Sequence, residues 1–392
     1  MEEGMPILIV IDALDECDED GAGSILSIFA DNISSMQRLR IFVTARPETH
    51  IQTALDQYRD YRQFHMQEIE QSVVKTDIQL YLRFCLSATE VQKAFPRLRP
   101  PPWQPTEEQM EMLVAMVGNL FIIASTAASF ILDRKRVAPA RQIAKLLDGV
   151  SIRDFSGSQH ATFIMDDVYM RIIRAAQPDP VDDWLDQFQT FVGAIVVLQD
   201  PLPCEVLAQL LGVDANDIIG TLSNLHSVLA PSGRNQSYRV HHKSFSDFIC
   251  SRDRCKDPEF RIAPALSHMQ IAEHCLQTMN NNLKFNICDL DRSEQHMKRD
   301  ALPDRVRNSI PPHLAYACTY WASHLVAGLD NGTGLSSEVQ GLLEQFASQH
   351  LLHWLEVLSI IGRVDGAYRS VEMIYVSMVR GFVDQIHGVQ YS

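Results

Sequence analysis

The sequence predicts a mostly α-helical chain with a small α/β remnant at its amino end. Three observations lead there. The run Ile7-Leu8-Ile9-Val10-Ile11 is apolar and mostly β-branched, as in a strand buried on both faces of a parallel sheet, and it leads into Asp12, Asp15 and Glu16. A second run, Leu39-Arg40-Ile41-Phe42-Val43-Thr44, follows an apolar-rich segment at 25–36 that is long enough for a crossover helix, so the two runs form a parallel βαβ unit. Beyond about residue 70, apolar residues recur at helical spacing almost to the carboxyl end.

The elements follow in order. Strands are expected near 7–11, 41–44 and 64–69. A helix at 73–86 places Val74, Ile78, Tyr81, Leu82 and Cys85 on one face. Five prolines at 96–105 make an extended linker. The stretch 107–147 is helical, with breaks at Gly118 and Pro139, and 148–160 is a polar loop. Helix resumes at 163–176, and Asp179-Pro180 opens a new unit. There Trp184, Phe188, Phe191, Ile195 and Leu198 stripe one helix. Two short helices follow, at 203–211 and 214–226, the second capped by Asp214. A hairpin at 228–240 completes a winged helix. From 263 onward the pattern is helical, without a clean repeat. The expected domains are 1–87, a linker at 88–105, a helical subdomain at 106–178, the winged helix at 179–251 and a helical domain at 258–392.

Composition excludes several classes. The net charge of −15, from 49 acidic and 34 basic residues, opposes general affinity for nucleic acid or anionic membranes. Eight cysteines without paired spacing are read as reduced thiols of a cytoplasmic protein, not as a zinc site or a disulfide frame. Residues 112–132 are uncharged and long enough to span a bilayer, but Gly118, Asn119, Ser125, Thr126 and Ser129 make them only moderately apolar, and a buried helix is expected.

Ligands of parallel sheets sit at the carboxyl ends of the strands. Asp12, Asp15, Glu16 and Arg46 all fall there, and carboxylates beside an arginine suit a phosphate chain with its metal. Asp12-Ala13-Leu14-Asp15-Glu16-Cys17 resembles the Walker B motif of NACHT ATPases, in the form common in large fungal NLR-like proteins, and Thr44-Ala45-Arg46-Pro47 resembles their sensor-1 segment. The resemblance implies a P-loop-type sheet, closed by the helix at 73–86, in which Asp12 serves Mg²⁺, Asp15 or Glu16 positions the hydrolytic water, and Arg46 reads the γ-phosphate. His242, in His-x-Ser-Phe-x-Asp-Phe, resembles the winged-helix histidine that contacts the β-phosphate of ADP; Phe245 and Phe248 are expected core anchors.

None of the 18 glycines is followed by lysine, so Gly-x-x-x-x-Gly-Lys-[Ser/Thr] is absent. No Trp-Asp repeat follows the helical domain either. The expectation is a fragment of a NACHT signalling NTPase, from Walker B onward. It should not be an enzyme as it stands and should need no cofactor, whereas the intact family uses ATP or ADP with Mg²⁺. The alternatives are a standalone module that packs against full-length NACHT relatives, and a winged-helix regulator of DNA. Protein partners are expected, and neither nucleic acid nor membrane. Residues 203–230 contain no lysine or arginine and include Glu205, Asp214 and Asp217. Random duplex DNA should therefore show no mobility shift even at low salt. A salt-sensitive shift removed by substitutions within 214–226 would refute this.

Overall fold

The computed structural model describes residues 7–17, 19–33, 38–46, 49–56, 62, 64, 69–96, 103–134, 138–149, 161–178, 183–232, 237–291, 309–329 and 335–389. The chain divides into two compact units, one ending at Gln71 and the other starting at Ser72.

The first unit is the βαβ element with one more helix: β1 (Ile7–Ile11), α1 (Glu19–Ile33), β2 (Leu39–Val43) and α2 (Thr49–Asp56). The strands pair in parallel from Ile7↔Leu39 to Ile11↔Val43. Ile11 and Val43 pack on a small core of Leu14, Ala22, Leu26 and Ile51. Because side chains alternate along a strand, Leu8, Val10 and Phe42 point the other way, and they are 64%, 60% and 55% exposed. This corrects the expected burial on both faces. Among the described residues the core gathers on one side only, and β1 pairs with β2 alone. Of the strand expected at 64–69, residues 65–68 lie outside the described residues, and Phe64 and Ile69 are exposed and not in a strand.

The second unit is helical, with one small hairpin. Ile78 and Leu82 of α3 (Gln71–Cys85) lie in the core of the helical body, so the helix expected to close the sheet belongs to that body instead. Ser87 caps α4 (Ala88–Ala94). Thr106 and Gln109 form a reciprocal capping box at the start of α5 (Glu107–Val117), each bond 3.1 Å. The uncharged stretch is not one helix. Gly118, at φ 62° and ψ −135°, a combination nearly reserved for glycine, ends α5 before α6 (Phe121–Ile131) begins, and the two helices pack together. No helix among the described residues is long and apolar enough to cross a membrane. Then come α7 (Pro139–Leu147) and α8 (Ala161–Ala176). Most of the expected loop at 148–160, and Asp179-Pro180, lie outside the described residues.

The winged helix comprises α9 (Trp184–Val197), α10 (Cys204–Leu211), α11 (Ala215–Leu222) and the antiparallel hairpin β3 (Leu229–Ser232) with β4 (Ser237–Val240). A bridge from Pro203 to Ser237 adds a minimal third strand. Asp214 caps α11 by accepting the Asn216 N–H at 2.7 Å. After α12 (Lys243–Cys250) come α13 (Pro264–Asn282), α14 (Pro312–Leu329), α15 (Ser337–Gln345), a π-helical turn at Phe346–His350, α16 (Leu351–Ile361) and α17 (Asp365–Val389). Helices α13 and α14 pack extensively. A Cβ on Gly328 would fall 3.0 Å from the Met269 backbone nitrogen, so any larger residue would push the two helices slightly apart. Trp321, Phe346 and Trp354 meet edge to face, and the Trp354 indole donates to the Cys318 carbonyl at 2.8 Å.

Between α13 and α14 runs a buried polar chain. The Gln199 N–H donates to the Tyr316 hydroxyl at 3.1 Å, that hydroxyl meets His324 Nε2 at 2.8 Å, and His324 Nδ1 meets His268 Nδ1 at 2.9 Å. Burial raises the Tyr316 pKa, so the phenol keeps its proton; the single ring proton of a neutral His324 serves either Tyr316 or His268. Burial, and next the neighbouring His268, push the His324 pKa down to about 3 from an ordinary 6.5. Burial also lowers His268. A histidine depressed on folding binds fewer protons in the native state, so its stabilisation is full above about pH 6.5 and is lost as pH falls toward 3. Denaturant unfolding of the helical body should lose on the order of 5 kcal/mol across that window from His324 alone. A stability that stays flat between pH 7 and pH 4 would disprove the neutral buried pair.

Candidate functional site

Asp12, Asp15 and Arg46, predicted at the strand ends, lie where β1 and β2 stop. The ladder continues past both strands: the Thr44 N–H donates to the Ile11 carbonyl and the Leu14 N–H to the Thr44 carbonyl, each at 2.9 Å. Thr44 therefore lies beside Asp12. Its hydroxyl donates to Asp12 Oδ1 and accepts the Ala13 N–H at 2.8 Å. Ala13 sits at φ 54°, ψ 51°, the left-handed region that a β-carbon disfavours. That turn swings the chain into a single 3₁₀ turn, Leu14–Glu16, with Leu14 buried as its anchor.

Two residues further along each segment, Asp15 meets Arg46. Asp15 Oδ1 accepts the Arg46 backbone N–H at 3.0 Å, and Oδ2 lies 3.4 Å from Arg46 Nε. Asp15 is buried, and the Arg46 side chain is about one-third exposed. This geometry makes Asp15 the group that holds Arg46. Asp12 is exposed, with one carboxylate oxygen on Thr44. Glu16 lies in the 3₁₀ turn, but its side chain, like Pro47, falls outside the described residues. Of the predicted residues, Asp12, Asp15 and Arg46 are brought together at this edge. Sequence reasoning did not find the Thr44 hydroxyl as the tie between the segments, nor Asp15 as the partner of Arg46; a buried acid two residues before an exposed cysteine has no sequence signature.

Among the described residues no group of three His, Cys, Asp or Glu could hold a metal ion. One exposed carboxylate beside a hydroxyl suits Mg²⁺ only when phosphate oxygens and water complete the shell, since Mg²⁺ needs six ligands and is usually held through one or two carboxylates plus substrate phosphates.

His242 lies in the second unit, at the amino end of α12. Its Nδ1 accepts the Ser244 N–H at 3.2 Å and lies 2.6 Å from the Ser244 hydroxyl, which lies 2.7 Å from the Tyr169 hydroxyl. Burial raises the Tyr169 pKa and keeps that phenol protonated. With Nδ1 accepting from the backbone, protons run from Tyr169 to Ser244 to His242, which assigns the ring proton to Nε2 as a donor. Phe245 and Phe248 are buried, as expected, and both rings contact Tyr169, at 5.3 and 5.6 Å.

Residues 1–46 match the sequence model of the family described as Nephrocystin 3, N-terminal. That segment contains β1, β2 and the whole Asp12–Arg46 edge. No curated protein and no solved structure matches the chain.

The tie through Thr44 can be measured. Thr44→Val should cost about 1–3 kcal/mol, because it leaves the Ala13 N–H without its acceptor. Ala13→Gly should be neutral or stabilising, because glycine adopts φ 54° without strain. Hydrogen exchange at the Leu14 amide reports both changes. Equal protection in wild type and Thr44→Val would show that the hydroxyl does not hold the turn.

Proposed function

We propose that residues 7–46 are the strand-end half of a NACHT-type nucleotide site. In this reading Asp12 holds Mg²⁺ through water, Arg46 reads the terminal phosphate, and Glu16 orients water while Asp15 keeps Arg46 in place. The observation that carries it is the pairing of Asp12 with Thr44 and of Asp15 with Arg46 across two parallel strand ends. The match of residues 1–46 supports the same segment as a unit. The phosphate cradle does not fit the residues present, since no Gly-Lys pair occurs anywhere in the chain. The cradle has to come from another segment or another chain, and these residues alone hydrolyse nothing. The wider reading is part of a cytoplasmic signal-transducing NTPase of the fungal NLR-like type. His242 enters it through motif resemblance alone, with Nε2–H as the donor toward phosphate. A second reading, a module that packs on full-length relatives, is favoured by the exposed apolar face of Leu8, Val10 and Phe42.

Calorimetry with MgATP should give no heat that Asp12→Ala removes, and no phosphate should be released. Asp12-dependent saturable binding would overturn the need for an outside cradle. The assignment itself is tested by fusing the P-loop segment of a NACHT protein ahead of residue 7. Hydrolysis should then appear and fall by roughly a hundredfold in Asp12→Ala and in Arg46→Ala. An active fusion indifferent to both changes would sink the assignment.

A further inference from the structure

Helix α17 carries two stripes, and the less apolar one faces the protein. Ala367 and Ser370 are buried and Ile374 packs on the core, which holds α17 against α14. The other stripe is Val364, just ahead of the helix, with Tyr368, Val371 and Tyr375. Steps of four, three and four residues keep them on one side of a helix with 3.6 residues per turn. They are 49%, 72%, 53% and 70% exposed. A helix on a protein surface ordinarily turns its large apolar residues inward. Here an alanine and a serine are turned inward and two tyrosines outward.

The outward spacing is that of a coiled-coil seam, in which apolar residues recur every 3.5 residues on average. The sequence continues it at Met378 and Phe382. A seam of this kind fits another helix, and three observations make that helix α17 of a second copy. The first is charge. Residues 365–389 carry three acids, two arginines and no lysine, a net of −1, whereas the whole chain stands at −15. Two strongly acidic chains repel, and they meet at least cost along a nearly neutral helix. The second is shape. Set antiparallel, with Tyr368 of one copy beside Val371 of the other, the two-fold axis also sets Val364 beside Tyr375. Each tyrosine then meets a valine, so a large side chain fills the space beside a small one in every layer. Asp365 falls across from Ile374 and Glu372 across from Ala367, so like charges do not meet. Parallel pairing would stack tyrosine on tyrosine and valine on valine. The third is area. A buried aromatic side chain covers about 150–250 Å². With two tyrosines and two valines from each copy, the pairing covers on the order of 1,000 Å², the lower bound for a specific interface.

We propose that α17 pairs with α17 of a second copy, antiparallel about a two-fold axis level with residues 369–370, in a weak homodimer. Tyr368 and Tyr375 are its anchors, in keeping with the enrichment of tyrosine and depletion of lysine at interface centres. All of these residues lie in the second unit. The pairing is therefore independent of the nucleotide reading of Asp12 and Arg46 and of the apolar face of β1 and β2.

The test is sedimentation equilibrium of the full chain across the micromolar range. The mass should rise with concentration from one chain to two. Tyr368→Glu and Tyr375→Glu change exposed side chains, so helical circular dichroism should stay the same while each variant weakens association by about a hundredfold or more. Val371→Tyr keeps the face apolar but sets two tyrosines in one layer, and it should weaken the dimer as well. Phe42→Glu, on the strand face of the first unit, should leave it intact. A single-chain mass at every concentration would overturn the proposal, as would a dimer that survives both glutamates. A dimer that tightens in Val371→Tyr would refute the layered pairing by showing mere stickiness, and one lost in Phe42→Glu would place the contact elsewhere.

Discussion

Everything at the strand-end site depends on one backbone register. With Ile11 opposite Val43, the next two ladder bonds, Thr44 to Ile11 and Leu14 to Thr44, continue the pairing into what would otherwise be loop. Asp12 is thereby set against Thr44, and Asp15 against Arg46. A slip of one residue would turn every strand side chain to the opposite face and separate both pairs. The left-handed Ala13 belongs to the same device, since it lets the chain turn sharply enough for Leu14 to anchor inward while Asp15 reaches across.

Much of this was legible in the sequence because each element obeys a local rule. The two β-branched runs with a helix-length spacer specify a parallel pair, and Asp12 and Arg46 fall at its carboxyl end by counting alone. The Asp214 cap, the stripe on α9 and the hairpin near 228–240 follow from capping chemistry and period. What was not legible depends on long-range partners. The burial of β1 was overestimated because a continuous apolar run cannot reveal how many faces are covered. The helix from Gln71 was placed with the sheet because its stripe gives a face but not the neighbour against that face. Tyr169, which lies 75 residues from Ser244, completes a proton chain that no local motif encodes.

His242 caps α12 through one ring nitrogen, and that bond fixes the state of the whole ring. As the cap of α12 it must present an unprotonated Nδ1 to the Ser244 amide, and that requirement leaves Nε2 as a donor. The tautomer of His242 is thus set by its structural role at the start of α12.

The bend at Gly118 has a consequence for how the chain is read while it is being made. Residues 112–132 number 21. As one straight helix they would measure about 31 Å, close to the roughly 30 Å of a bilayer's hydrocarbon core. A bent pair of helices in water and a straight rod in lipid are therefore two conformations open to the same segment. Composition separates them only modestly, through Asn119, Ser125, Thr126 and Ser129. Backbone geometry separates them further. The bent form needs a dihedral pair that glycine alone adopts freely, whereas glycine lowers the stability of an uninterrupted helix. A single absent β-carbon at position 118 thus tilts an ambiguous apolar segment toward the aqueous fold.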